Sequence, residues 1–415
     1  MKKLKRMLVI CLSFLLSLQI NTFAYEIEEE IDYVWLQEEI TNVSTDTVSE
    51  PVLNSRYAIA IDRESKAILF GKNENQRVPM ASTTKIMTAI VLLENLGVNN
   101  NLTLESQIEV CKQAASIGGS RLGLKIGDKV TINDLLYGLM LCSGNDAAIQ
   151  IAVSIAGSVE GFANLMNKKA EELGLKNSHF VTPHGLDKEE HYTTAYELAL
   201  IADYALKNSK IAEVVKTKSY TVSINGYSKT IANTNELLGY LDGVNGVKTG
   251  FTNGAGRCLV TSIERDGFNI ITVVLGADTK KFRTKDSICL IEHVYSNYEL
   301  VNLEELINEE FEEWKQINEK RLYIYKGKKD NIKTELEQYK YKVYPIKKEH
   351  IKDINIEIEN LKTYFEAPVS KGDEIGALNF NIGDKELMNI RIRTNEKIDR
   401  KDIRDYILNC LDEVI

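Results

Sequence analysis

Pro79-Met80-Ala81-Ser82-Thr83-Thr84-Lys85 is the stretch on which the fold turns. It leads into Ile86-Met87-Thr88-Ala89-Ile90-Val91-Leu92-Leu93, where the apolar positions are too many for one narrow stripe. The pattern predicts a helix over Lys85–Leu96 that is buried on most sides and stops at Gly97. A Ser-x-x-Lys at the mouth of such a helix sets a hydroxyl and an amine on one helical face, one turn apart. That is the arrangement of a nucleophile with its base. The amine accepts a proton only when neutral, and burial with nearby positive charge moves a lysine that way. The helix N-terminus also favours negative charge developing near Ser82. By itself, the spacing equally fits an N-capping serine followed by a surface lysine.

Upstream, Tyr57–Ile61 and Ala67–Phe70 form two short apolar runs about a polar turn at Asp62–Lys66, which predicts a β-hairpin. Downstream, Thr131 with Asp134 three residues on makes a helix start, and Leu135, Leu136, Leu139 and Met140 continue it. That helix breaks at Ser143-Gly144-Asn145 and resumes as the Ala-rich Asp146–Ala156. Further on, Arg257–Ile263 and Phe268–Leu275 flank Arg265-Asp266-Gly267, in which Asp-Gly signals a tight hairpin. Strands and buried helices in this order predict an α/β domain over residues 55–295.

Two further clusters sit in this domain. Ser143-Gly144-Asn145 places a hydroxyl and a carboxamide where packing alone favours apolar side chains, although a helix-breaking turn has the same composition. Gly246-Val247-Lys248-Thr249-Gly250 reads as a strand edge on which Lys248 and Thr249 can hold a carboxylate while glycine lets a substrate backbone approach. It is also compatible with a plain Lys-Thr turn.

Taken together and in this order, S-x-x-K, S-x-N and K-T-G resemble the motif set of penicillin-binding proteins and class A β-lactamases. Longer stretches resemble the low-molecular-mass penicillin-binding proteins, the serine-type D-alanyl-D-alanine carboxypeptidases: Pro79–Thr88, Leu135–Ala148, Gly174–Asp187 and Gly243–Leu259. The resemblance covers residues 55–295 strongly and the C-terminal region more weakly. It implies an α/β serine β-lactamase/transpeptidase-like domain followed by a small all-β, sandwich-like domain. The implied reaction removes the terminal D-alanine of peptidoglycan stem pentapeptides through an acyl-enzyme on Ser82, which penicillin and other β-lactams also acylate.

The same resemblance implies the roles of individual residues. Ser82 attacks, Lys85 takes its proton, and Ser143 relays a proton to the leaving amine. Asn145 binds the peptide backbone, Lys248 and Thr249 contact the substrate carboxylate beside Gly250, and backbone N–H groups of Ser82 and Phe251 form the oxyanion hole. Arg283 is a further carboxylate partner. A glycine in the middle motif, where β-lactamases usually carry aspartate, agrees with the carboxypeptidase reading.

The chain has 415 residues, 44% hydrophobic and 27% charged, enough for two or three globular domains and unlike a disordered or disulfide-stapled protein. Its net charge of −9 is uneven. Met1–Arg6 carries four basic residues, and 25–54 carries nine acidic residues with no Lys or Arg. The rest is nearly neutral, with no basic footprint for nucleic acid. Residues 1–24 read as a secretory signal peptide: Lys2, Lys3, Lys5 and Arg6, then the apolar Met7–Leu18, then Thr22-Phe23-Ala24 as a cleavage site. A retained anchor is the competing reading, but a span needs ~20 apolar residues. The expected location is therefore exported, either secreted or held at the outer face of the cell membrane.

Residues 25–54 read as a solvated acidic linker broken at Pro51, in which Trp35 is the residue able to dock. Residues 296–319 read as a Glu-rich helical connector, 320–396 as short alternating strands, and 397–415 as an amphipathic helix. The last has Ile403, Tyr406, Ile407, Cys410, Leu411 and Val414 on one stripe. Relatives use a terminal helix as a peripheral membrane contact, whereas this one holds four basic and five acidic residues, so a packed or dimerising helix is an equal reading. The cysteines beyond the leader, Cys111, Cys142, Cys258, Cys289 and Cys410, are odd in number and lack C-x-x-C spacing. The histidines lack H-E-x-x-H spacing, so neither a metal nor a cofactor is expected. His184 and His191 read as structural residues, and Cys142 as a small buried hydrophobe.

Three other functions compete. A class A β-lactamase needs a deacylating glutamate in E-x-x-L-N, but Glu172-Leu173-Gly174-Leu175-Lys176-Asn177 sets the asparagine one place late, which predicts slow release of β-lactams. A penicillin-sensing or wall-binding module needs a route to the cytoplasm that a cleaved leader does not supply. An endopeptidase acting on cross-links uses the same site with a longer leaving group.

Overall fold

The computed structural model describes residues 33–43, 50–98, 101–360 and 364–412. The leader and the first part of the acidic stretch lie outside the described residues. The chain forms two compact units, Met1–His293 and Val294–Ile415.

The first unit is built on a five-stranded antiparallel sheet. Its strands are β1 (Tyr57–Asp62), β2 (Ile68–Lys72), β3 (Val244–Thr252), β4 (Gly256–Arg265) and β5 (Phe268–Ala277). Their order is β2-β1-β5-β4-β3, so β3 is an edge strand. The β4–β5 turn has Asp266 and Gly267 at φ of 49° and 79°, the left-handed pair that an Asp-Gly hairpin requires. The β1–β2 turn is held by Asp62, which accepts hydrogen bonds from the backbone and hydroxyl of Ser65.

Helix α2 (Lys85–Asn95) lies in the core, and every residue from Lys85 to Leu92 is buried. Around it pack α3 (Ile132–Met140), α4 (Asn145–Ala156), α5 (Val159–Glu172) and α6 (Ala195–Leu206). Thr131 caps α3 through the Asp134 N–H, as its sequence predicts. No single described helix is long and apolar enough to cross a membrane.

The acidic stretch is not all solvated linker. Tyr33–Val43 forms helix α1, and Leu36 is fully buried. Tyr33 stacks on Tyr240 at 4.7 Å, Trp35 lies 5.2 Å from the Lys281 ammonium, and Glu39 pairs with Lys285 at 2.6 Å. Acidic composition hid an aromatic–aliphatic face that finds cations on α7 (Lys280–Asn297).

In the second unit β6 (Tyr298–Asn302) pairs with β9 (Val343–Lys347), and β7 (Tyr323–Tyr325) runs parallel to β11 (Tyr364–Glu366). The remaining strands, β8 (Thr334–Leu336), β10 (Ile354–Asn360), β12 (Glu374–Ile382) and β13 (Lys385–Thr394), form an antiparallel sheet in the order β8-β13-β12-β10. Helix α8 (Leu303–Asn318) buries Leu303, Ile307, Phe311 and Trp314 in the same core as Ile375, Leu378 and Phe380. The stretch 296–319 is thus a strand and a core helix of this unit and not a free connector. Its Glu-rich outer face disguised an apolar stripe at i, i+4, i+8 and i+11. Helix α9 (Ile403–Asp412) leaves Ile403, Ile407 and Leu408 more than half exposed.

Candidate active site

Ala81–Thr84 forms a single 3-10 turn that runs directly into α2 and presents Ser82 at its head. The turn is tied by its own hydroxyls: Thr83 donates to the Met80 carbonyl at 2.5 Å and Thr84 to that of Ala81 at 2.7 Å. Ala81 sits at φ of 48°, a conformation that costs a non-glycine residue and that recurs where a site is held under strain.

Lys85 is fully buried, and its Nζ lies 2.7 Å from Ser82 Oγ, 2.8 Å from Asn145 Oδ1 and 2.8 Å from the His184 carbonyl oxygen. A carbonyl and a carboxamide oxygen only accept, so both take an N–H whatever the charge of the lysine. Ser82 is the one partner of the three able to donate. With Lys85 neutral, two N–H bonds go to Asn145 and His184, and the lone pair is left for the Ser82 hydroxyl proton.

The Ser143 loop completes this side. After α3, Ser143 turns at φ of 60° and is 5% exposed, and α4 begins at Asn145. Asn145 donates its Nδ2 to the Gly118 carbonyl at 2.8 Å, which sets its Oδ1 towards Lys85. The neighbouring Asp146 accepts from the N–H groups of Leu122, Gly123 and Leu124 at 2.8, 2.7 and 3.0 Å and fastens the 118–124 loop to α4.

Across from the turn runs β3. Lys248 and Thr249 are 1% and 7% exposed, Lys248 donates to the Thr249 carbonyl at 3.1 Å, and the Thr249 hydroxyl meets that of Thr234 at 2.7 Å. Gly250 lies so close to the turn that a Cβ there would stand 3.0 Å from the Ser82 amide nitrogen and 3.2 Å from that of Thr83. Glycine thus lets the edge strand approach the nucleophile's N–H without displacing the turn. Phe251 is half-buried, with the Arg257 guanidinium 4.0 Å from its ring centre. Arg283, on α7, is buried and ion-paired with Glu236.

Several residues of the site are invisible to motif reading. His191 bridges the turn: its Nε2 meets the Thr84 hydroxyl at 2.9 Å and its Nδ1 accepts from the Val181 N–H at 2.9 Å. Because Thr84 donates to Ala81, His191 Nε2 carries the proton, an assignment made by its partners. Burial pushes the His191 ring down to about 4. His184 is pushed down to about 3 by burial and then by the charge of Lys85. Both rings are therefore neutral at pH 7. Gly185, at φ of 88°, has no room for a Cβ, which would stand 1.9 Å from the Ala81 oxygen. Asp187 binds Thr252 Oγ1 at 2.6 Å and the Gly254 N–H at 2.9 Å, joining this loop to the β3–β4 turn. These contacts span tens of residues, so spacing carries no trace of them.

Glu172, the residue considered for β-lactam deacylation, is exposed at the end of α5 and pairs with Lys169 at 2.5 Å. Cys142 is held by burial above its ordinary value, and its thiol lies 3.2 Å from the Gly138 carbonyl.

A half-buried serine paired with a fully buried lysine, facing an edge strand with a second buried lysine, is the constellation of a serine acyl-transfer enzyme. Comparison with known proteins gives the family. Residues 44–279 match the D-alanyl-D-alanine carboxypeptidase family of serine peptidases, and residues 314–400 match the C-terminal domain of penicillin-binding protein 5. The chain belongs to this family. It is 34% identical to the D-alanyl-D-alanine carboxypeptidase DacF of Bacillus subtilis over 80% of this chain and 82% of that one. It is 31% identical to DacD of Escherichia coli over 84% and 88%. Among solved structures, penicillin-binding protein 5 of Haemophilus influenzae superposes with a TM-score of 0.68 at 27% identity, covering 85% of this chain and all of that one. The Streptomyces K15 DD-transpeptidase gives 0.57 at 35%, covering 60% of this chain and all of that one.

Proposed function

We propose that the chain hydrolyses the bond between the last two D-alanines of peptidoglycan stem peptides, outside the cytoplasm, and that β-lactams acylate the same serine. The observation that carries this is the buried Lys85 amine, which lies 2.7 Å from Ser82 Oγ and is fixed by Asn145 Oδ1 and the His184 carbonyl oxygen. Ser82 Oγ bonds to the penultimate D-alanine carbonyl carbon as its proton passes to Lys85 Nζ. The carbonyl oxygen takes the negative charge against the N–H groups of Ser82 and Phe251, a contribution of about 3 kcal/mol per donor in other enzymes. The C–N bond breaks, D-alanine leaves with a proton relayed through Ser143, and water then hydrolyses the ester and restores the Ser82 proton.

Lys248 and Thr249 on β3, with Arg283 on α7, are the residues assigned to receive the terminal carboxylate. Asn145, whose polar atoms engage Lys85 and Gly118, acts first as the support of Lys85. The test is D-alanine release from a diacyl-L-Lys-D-Ala-D-Ala peptide: release by wild type, lost in Lys85→Ala, supports the reading, and equal release by both overturns it.

The basic–apolar leader supports export, and the exposed Ile403, Tyr406, Ile407 and Leu408 of α9 support a peripheral membrane contact. Co-sedimentation of the mature chain with anionic vesicles, lost on deletion of 401–415, is the expected outcome.

A further inference from the structure

Arg283 and Glu236 form a buried ion pair beside the strand that carries Lys248 and Thr249, and nothing in the reaction as derived uses Glu236. The two side chains are 3% and 4% exposed and joined through Arg283 Nη2 and Glu236 Oε1. The Thr284 hydroxyl donates to the same carboxylate oxygen. The pairing is one-sided: Glu236 Oε2 and Arg283 Nε have no hydrogen-bond partner, so the guanidinium is held by one corner with donors to spare.

The segment bearing Glu236 is built stiffly. Asn233 receives the Asn235 N–H, Asn235 receives the Leu237 N–H, and Thr234 ties to Thr249 at 2.7 Å. Glu236 is thus two residues from a direct contact with the carboxylate-binding strand. Burial alone would raise the Glu236 pKa, but the Arg283 charge and Thr284 outweigh it and hold the carboxyl below its usual range.

We propose that Glu236 is a positioning residue for the substrate's terminal carboxylate: its one-cornered ion pair fixes the orientation of Arg283 and leaves guanidinium donors free to meet that carboxylate. This rests on the reading of Arg283 as a carboxylate partner. A guanidinium freed from Glu236 keeps its charge but loses its orientation, and the penalty falls on binding of the carboxylate rather than on the Ser82 chemistry.

The test compares Glu236→Gln, Glu236→Asp and Arg283→Gln, with an acyl-D-alanine boronic acid as a probe that bonds to Ser82 but carries no terminal carboxylate. Glu236→Gln is expected to raise KM for the diacyl-L-Lys-D-Ala-D-Ala peptide about tenfold with kcat within twofold, and to leave boronate affinity within twofold. Glu236→Asp is expected to fall between, and the double variant to be no worse than Arg283→Gln alone. Should Glu236→Gln not fold, Thr284→Val removes one hold on the carboxylate, and a two- to threefold rise in KM is expected. Unchanged KM in Arg283→Gln would remove the reading of Arg283. Raised KM in Arg283→Gln with unchanged KM in Glu236→Gln, or equal loss of boronate and peptide binding in Glu236→Gln, would overturn the role of Glu236 alone.

Discussion

Asn145 anchors Lys85: its Oδ1 accepts from Lys85 Nζ at 2.8 Å while its Nδ2 donates to the Gly118 carbonyl at 2.8 Å, so the amide cannot reverse without losing both bonds. Asn145→Ala frees Lys85 from one of its anchors. A misplacement of ~1 Å near a reacting centre costs about a hundredfold. The expected result is a 10- to 100-fold lower rate of acylation by benzylpenicillin, with a stability loss of about 1–3 kcal/mol from the stranded Gly118 carbonyl. Stopped-flow acylation and thermal melts check the two parts separately.

Gly185→Ala places a methyl group against the Ala81 oxygen in a backbone conformation that alanine avoids. The loop must move, and with it the His184 carbonyl that supports Lys85. The variant is expected to lose more than 99% of acylation even where circular dichroism shows a folded protein. Retention of wild-type acylation would show that this loop does not hold the lysine.

His184 and His191 make stability fall with acid. Their folded values, about 3 and about 4, lie below the ordinary 6.5, so between these limits the unfolded chain binds more protons than the folded one. Stability is complete above pH ~6.5, declines as pH falls through 6 and 5, and is fully lost for each group below its folded value. Each unit of displacement corresponds to about 1.4 kcal/mol. Denaturant titrations from pH 7 to pH 4 are expected to show this decline, and His191→Gln is expected to show a shallower one.

Helix α1 docks through Leu36, and its contacts fall on Tyr240, Lys281 and Lys285, on both segments that carry the Glu236–Arg283 pair. Leu→Ala in a packed site costs about 2–5 kcal/mol, and here the loss is capped by the docking energy of the helix. Leu36→Ala is expected to raise amide exchange across 33–43 and around Tyr240 while leaving exchange in α2 unchanged.

The reaction was legible in the sequence because its residues come in short clusters on strong elements: Ser82 and Lys85 one helical turn apart, Ser143 and Asn145 across one helix break, and Lys248 and Thr249 on one strand. The hairpin at Asp266-Gly267 was legible for the same reason, since its turn chemistry is local. What positions these groups was not legible. Asp146, Asp187, His191 and Glu236 act on partners tens of residues away, and a carboxylate that caps a loop is indistinguishable in sequence from one on the surface. Helices α1 and α8 were obscured by charge: Leu36 and the stripe from Leu303 to Trp314 lie among so many glutamates that composition pointed to solvent.

The central claim is that Ser82 forms an acyl-enzyme which Lys85 makes possible. Intact-mass analysis of the mature protein after incubation with benzylpenicillin, alongside Ser82→Ala, tests it most directly. The account predicts a stable adduct of one penicilloyl group on the wild type, none on Ser82→Ala, and D-alanine release from the peptide substrate by the wild type alone. An adduct that persists in Ser82→Ala, or no adduct on the wild type, would contradict it.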